Sequence, residues 1–71
     1  MKLSAGDRVR LTRRYVAAGV DLPSGSLGTA CENSDVFSHT WIQFDHFEEC
    51  ALLAPRETLE RVSPLEELAA V

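Results

Sequence analysis

Charged and aliphatic residues alternate in the first patterned stretch. In Gly6-Asp7-Arg8-Val9-Arg10-Leu11-Thr12, Val9 and Leu11 fall on one side and Arg8 and Arg10 on the other, the period-two signature of a half-buried strand. Gly6-Asp7 supplies a turn before it. Residues 13–24, RRYVAAGVDLPS, lose this rhythm. Tyr15, Val16 and Val20 are able to pack, but Gly19 and Pro23 interrupt any helix, so the pattern predicts a long loop folded back on the body. Strand character returns in GSLGTACE, with Leu27 and Ala30 inward. Gly25 follows Pro23 in a tight turn or at positive φ, and Gly28 permits a bend or a close strand approach.

The second half is more regular. ENSDVFS (32–38) reads as a turn, because Asn33, Ser34 and Asp35 favour local side-chain bonds to the backbone. HTWIQFD (39–45) is the clearest strand, with Thr40, Ile42 and Phe44 on one face and Trp41 and Gln43 on the other. HFEE connects it to a short apolar strand, CALLAP (50–55). RET fits a single 3₁₀ turn, and LERV (59–62) a last strand. The predicted core is Val9, Leu27, Ile42, Phe44, Leu52 and Val62. SPLEELAAV (63–71) carries a helix start: Ser63 as N-cap, Pro64 in the first turn and Glu66 completing S-x-x-E. Leu65, Leu68 and Ala69 would share an apolar face, too short to be stable without docking.

Composition sharpens this outline. Seventy-one residues make one domain with a thin core. The expected organisation is a β domain over 1–62 and a helical tail over 63–71, packed on the domain or on a partner subunit. The N-terminus has no apolar signal-peptide core and no stretch has the length of a membrane span, so the expected address is cytoplasmic. Cys31 and Cys50 form no C-x-x-C pair and are expected as buried free thiols. The net charge of −4 is uneven: residues 1–31 carry +3 and residues 32–71 carry −7. A folded sheet that mixes these segments removes the asymmetry.

GDRVRL, LPSGSLGTACE, WIQFD and APRETLERV, in that order, resemble the SH3-like barrels of bacteria over residues 5–62. The resemblance implies a mainly β, five-stranded SH3-like barrel whose sharp diverging turn holds Gly25 and Gly28. The ends are similar to the plasmid-type trimethoprim-resistant dihydrofolate reductases, and GDRVR…LP…G…G to the barrel of nitrile hydratase β subunits. The reductase family builds its ligand pore from Val-Gln-Ile-Tyr-Pro. The chain has Ala51-Leu52-Leu53-Ala54-Pro55 there, without the polar groups that bind folate and NADPH, so the activity does not carry over.

Candidate chemistry is sparse. His39, Asp45, His46, Glu48, Glu49 and Cys50 are metal-ligand types without the spacing of a metal site. No serine or cysteine has the base and orienting group of a nucleophile. The expectation is therefore no enzyme, no cofactor and no metal. Arg8, Arg10, Arg13, Arg14, Tyr15 and Trp41 would make a single-strand nucleic-acid patch, but the acidic pI opposes phosphate binding. What remains is a small interaction module, binding a protein partner or a second copy of itself. Its expected rim is the 13–24 loop, Trp41 and the 45–50 turn, with Tyr15, Trp41, Gln43, His46 and Leu53 as contact residues and Trp41 the outward aromatic anchor.

Overall fold

The computed structural model describes residues 3–17, 19–63 and 65–66, with residues 33–35 by backbone alone. Among the described residues seven strands follow one another: β1 (Arg8–Leu11), β2 (Tyr15–Ala17), β3 (Val20–Leu22), β4 (Leu27–Val36), β5 (His39–Phe44), β6 (Phe47–Pro55) and β7 (Leu59–Arg61), with a 3₁₀ turn at Arg56–Thr58. Five of them form one antiparallel sheet in the order β6-β5-β4-β1-β7, and β2 and β3 form a separate hairpin. The sheet is open: β6 and β7 are its two edges, so the expected closed barrel is not made by the hydrogen-bond ladder.

Alternation decides the inner face. Val9 and Leu11 of β1, Thr40, Ile42 and Phe44 of β5, Leu52 and Ala54 of β6 and Leu59 of β7 are all buried, as is Val62 just beyond. Each large apolar side chain among them contributes roughly 1.5–3 kcal/mol of burial. Leu27 departs from expectation and is only half-buried. Ala30 is the inward residue of that segment, three positions on, so strict alternation cannot place both.

The two glycines of the PSGSLG stretch do different jobs. Gly25 has φ +91° in the turn before β4, where its N–H donates to Leu11 O at 2.8 Å. Gly28 sits inside β4, between Val9 of β1 and Phe44 of β5. A Cβ there would lie 2.6 Å from Ile42 Cγ2 and 3.0 Å from Gln43 O. The first glycine makes a turn, and the second makes room for the core.

Three expectations change. Residues 13–24 are not merely a loop: Tyr15 pairs with Leu22 and Ala17 with Val20, with Gly19 at φ +79° in the tip. Residues 32–36 continue β4, and the turn shrinks to Phe37-Ser38. β6 begins at Phe47, so the connection after β5 is only Asp45-His46. Backbone pairing satisfied more of these polar segments than side-chain propensity suggested.

Of the expected C-terminal helix, the described residues Leu65 and Glu66 have helical backbone, and the Glu66 N–H donates to Ser63 Oγ at 3.1 Å, the predicted cap. Leu65 is 77% exposed, so the described part is not docked on the sheet. Pro64 and residues 67–71 of that expected helix lie outside the described residues. No helix among the described residues is long and apolar enough to cross a membrane.

Candidate functional site

Irregular pairing around β5 shapes the outer surface. Ala30 pairs with Ile42 and Asp35 with Thr40, so β4 uses residues 31–34 where β5 uses Trp41 alone. Ile42 pairs with Leu52 and Phe44 with Phe47, so β6 uses residues 48–51 where β5 uses Gln43 alone. Surplus residues of this kind bend a strand and raise its local twist. Both bulges flank the outward side chains of β5.

A cleft of about 290 Å³ opens beside β6, between it and the β2–β3 hairpin. Tyr15, Val16 and Ala17 form one wall, and Leu53 and Pro55 the other, with His39, Thr58 and Arg14 closing it. The Tyr15 hydroxyl donates to Leu53 O at 3.2 Å, and its ring packs at 6.1 Å from that of Phe44. Burial, with the nearby Cys50 thiol adding to it, pushes the Tyr15 phenol above its usual range. Tyr15 therefore stays a neutral donor and holds the hairpin against the edge of β6.

The expected contact residues are partly gathered here. Tyr15 and Leu53 line the cleft together. Trp41 is 37% exposed and stands directly across the ladder from Leu53. Gln43 shares that face of β5, but its amide donates to Phe47 O at 2.8 Å, so it fills the bulge instead of reaching out. His46 is exposed in the Asp45-His46 turn, at the far end of β5 from the His39 side of the cleft.

Val16 entered the expected rim only as part of the 13–24 segment, and Phe37 was not expected there. Val16 is 66% exposed at the cleft wall, and Phe37 is 94% exposed in the turn joining β4 to β5. Phe37 also has φ +56°, a region that a bulky side chain occupies at a cost of order 1–3 kcal/mol. Arg56 fixes the turn: its Nη2 donates to Phe37 O and its backbone N–H to Ser38 O. The available signal was a large aromatic inside a polar turn segment, which side-chain alternation cannot interpret.

Charge is largely settled within the sheet. Arg8 holds Asp45 through two bonds of 2.9 and 2.7 Å, and its hydrogen bonds keep that carboxyl below the usual range, against the opposing effect of burial. Arg10 engages Glu60, Arg14 engages Asp21, and Arg61 reaches Asp7 at 3.3 Å. Arg8–Asp45 and Arg10–Glu60 thus join the positive first segment to the negative second one, whereas Arg14–Asp21 lies within the first and Arg61–Asp7 pairs a cation of the second with a carboxylate of the first. Among the described residues no three His, Cys, Asp or Glu side chains gather as a metal site. Cys31 and Cys50 are free, and Cys50 is exposed, not buried as expected. Leu52 and Ala54, at positions where the reductase resemblance has pore residues, point into the core.

No protein-family model, curated protein or solved structure matches this chain.

Proposed function

We propose that the chain is a non-catalytic interaction module that binds protein through the surface around Trp41, Leu53 and the β2–β3 hairpin. One observation carries this reading: of the four large apolar side chains that are exposed among the described residues, three stand on or beside a single cleft. Val16 lines it, Trp41 faces its Leu53 wall, and Phe37 lies two residues from its His39. Scattered exposed apolar residues are ordinary, whereas a contiguous group bordered by charge resembles the centre and rim of an interface. The sheet order, the hairpin between its β1 and β4 strands and the 3₁₀ turn before β7 fit a partly open SH3-like barrel. Two free cysteines fit a reducing, cytoplasmic setting.

The test is a comparison of wild type with Trp41→Ala and Leu53→Asp in light scattering and in pull-downs. Loss of self-association or of partners in both variants, with thermal unfolding retained, supports the reading. Full retention of every partner places the interface elsewhere. Titration with NADPH, expected to give no binding, separates this reading from that of a pore-type reductase.

A further inference from the structure

We infer that the partner at this surface is a cationic segment of another protein, with one apolar side chain seated in the cleft and lysines or arginines on both sides of it. The inference rests on the interaction reading above and names the partner's chemistry. Its ground is the place where the chain leaves carboxylates unpaired.

Asp7, Asp21, Asp45, Glu60 and Glu66 each stand within 4.0 Å of an arginine. Glu32, Glu48, Glu49 and Glu57 are exposed and meet no cation among the described residues. These glutamates are not scattered. Glu32 lies in the surplus segment of β4 that faces Trp41, and Glu48 and Glu49 lie in that of β6 that faces Gln43. Glu57 sits in the 3₁₀ turn between the lining residues Pro55 and Thr58. Neighbouring strands are about 4.8 Å apart, so free carboxylates flank the outward residues of β5 on both sides.

Positive charge nearby is mostly engaged. Arg14, in the cleft wall, is held by Asp21, and Arg56 binds Phe37 O. Arg13, exposed two residues before Tyr15, is left against the glutamates. A cation approaching this surface is attracted, and an anion is repelled by the same groups and by the net charge of −4. A second copy carries that same charge, and nucleic acid is anionic throughout, so neither matches.

The cleft supplies the anchor point. Tyr15, Val16, Ala17, Leu53 and Pro55 give it apolar walls, and about 290 Å³ is below the size typical of small-molecule pockets yet roomy for one apolar side chain. An arginine beside that anchor can lie against the exposed part of Trp41, which stands across the ladder from Leu53.

A random peptide library displayed on phage and selected against the pure protein tests this. Selected peptides should carry Lys or Arg on both sides of one aromatic or aliphatic residue, within about three residues or ~10 Å of extended chain. A synthetic copy of such a peptide should shift the emission of Trp41, the single tryptophan, to the blue. It should bind at least roughly 10-fold more weakly in ~0.5 M than in ~0.05 M NaCl. Glu32→Gln, Glu48→Gln, Glu49→Gln and Glu57→Gln should each weaken it about 2–5-fold, and all together at least roughly 10-fold, with the melting temperature unchanged. Replacing the peptide's anchor by serine should cost roughly 10-fold or more.

Acidic or uncharged peptides that bind wild type but not Trp41→Ala or Leu53→Asp keep the surface and overturn the cationic partner. Affinity indifferent to salt and to the glutamate substitutions does the same. A selection that enriches no peptide also overturns it, and leaves the interaction reading to its own pull-down test. Peptides that bind Trp41→Ala and Leu53→Asp as tightly as wild type sit elsewhere and overturn both readings.

Discussion

Thr40 is a hydroxyl in the wrong solvent. It is fully buried on the inner face of β5, opposite Ala54 of β6, and its Oγ1 has no hydrogen-bond partner among the described residues. A hydroxyl taken out of water without a replacement bond costs about 1–3 kcal/mol by protein mutational measures. Thr40→Val exchanges that hydroxyl for a methyl of nearly the same shape and keeps the β-branched fit to a strand. The expected result is stabilisation by about 1–2 kcal/mol, taking the lower part of that range because the methyl must pack where the oxygen was. At about 4–8 °C per kcal/mol for a domain of this size, the melting temperature should rise by roughly 4–16 °C. Thr58 supplies the control. It too is buried, but its Oγ1 donates to Pro55 O at 2.7 Å, so Thr58→Val should lose about 1 kcal/mol. Urea unfolding of both variants, with unchanged m-values, is the assay. Destabilisation by Thr40→Val comparable to that of Thr58→Val would mean the hydroxyl is satisfied, and the argument from its burial would be wrong.

Other consequences follow from the same packing. Gly28→Ala places a methyl 2.6 Å from Ile42 Cγ2 and 3.0 Å from backbone, and should cost about 1–3 kcal/mol in chemical unfolding. Gln43→Ala removes the amide bond to Phe47 O and should destabilise by about 1 kcal/mol, with faster amide exchange concentrated in residues 43–52. The Arg8–Asp45 pair gives an acid limb. The folded carboxyl is held below its unfolded value, so its contribution is present above about pH 4 and is lost as pH falls through the depressed folded value. Because Asp45 is two-fifths exposed, that contribution is about 0.2–1 kcal/mol, and Asp45→Asn should flatten the stability profile below pH 4 by that amount. An Asn variant with the wild-type acid limb would show that other carboxylates set it.

Strand by strand, legibility tracked the regularity of side-chain alternation. The strands β1 and β5 were readable because each alternates cleanly, and the 3₁₀ turn with β7 after it because Pro55 bounds them and Leu59 and Val62 anchor the segment. Trp41 was correctly placed outward, since Ile42 and Phe44 fix the other face. The hairpin at Tyr15–Leu22 was not readable: its two strands have three residues each, too short to show a period. The extension of β4 through residues 32–36 was hidden by turn-forming side chains that the long β4–β5 ladder overrides. At the candidate site, Tyr15, Trp41 and Leu53 were within reach of pattern arguments. Gln43 was assigned outward correctly but its amide is claimed by a bulge, and bulges leave no mark in alternation. Phe37 was missed and Val16 was expected only as one residue of the 13–24 rim, because their exposure depends on how a hairpin and a turn are held by distant Leu53 and Arg56.

Local alternation by itself determined that this chain is a β protein and which side of its regular strands faces inward, because side chains in extended backbone must point to opposite faces in turn. It also determined that Gly25 makes a turn. Only the tertiary structure decided that the sheet is open, that β4 and β6 each carry surplus residues beside β5, and that Val16 lines a cleft whose Leu53 wall stands across the ladder from Trp41. Those outcomes depend on registers between segments far apart in the chain, and pairing register is an energy of two strands together that neither one's sequence contains.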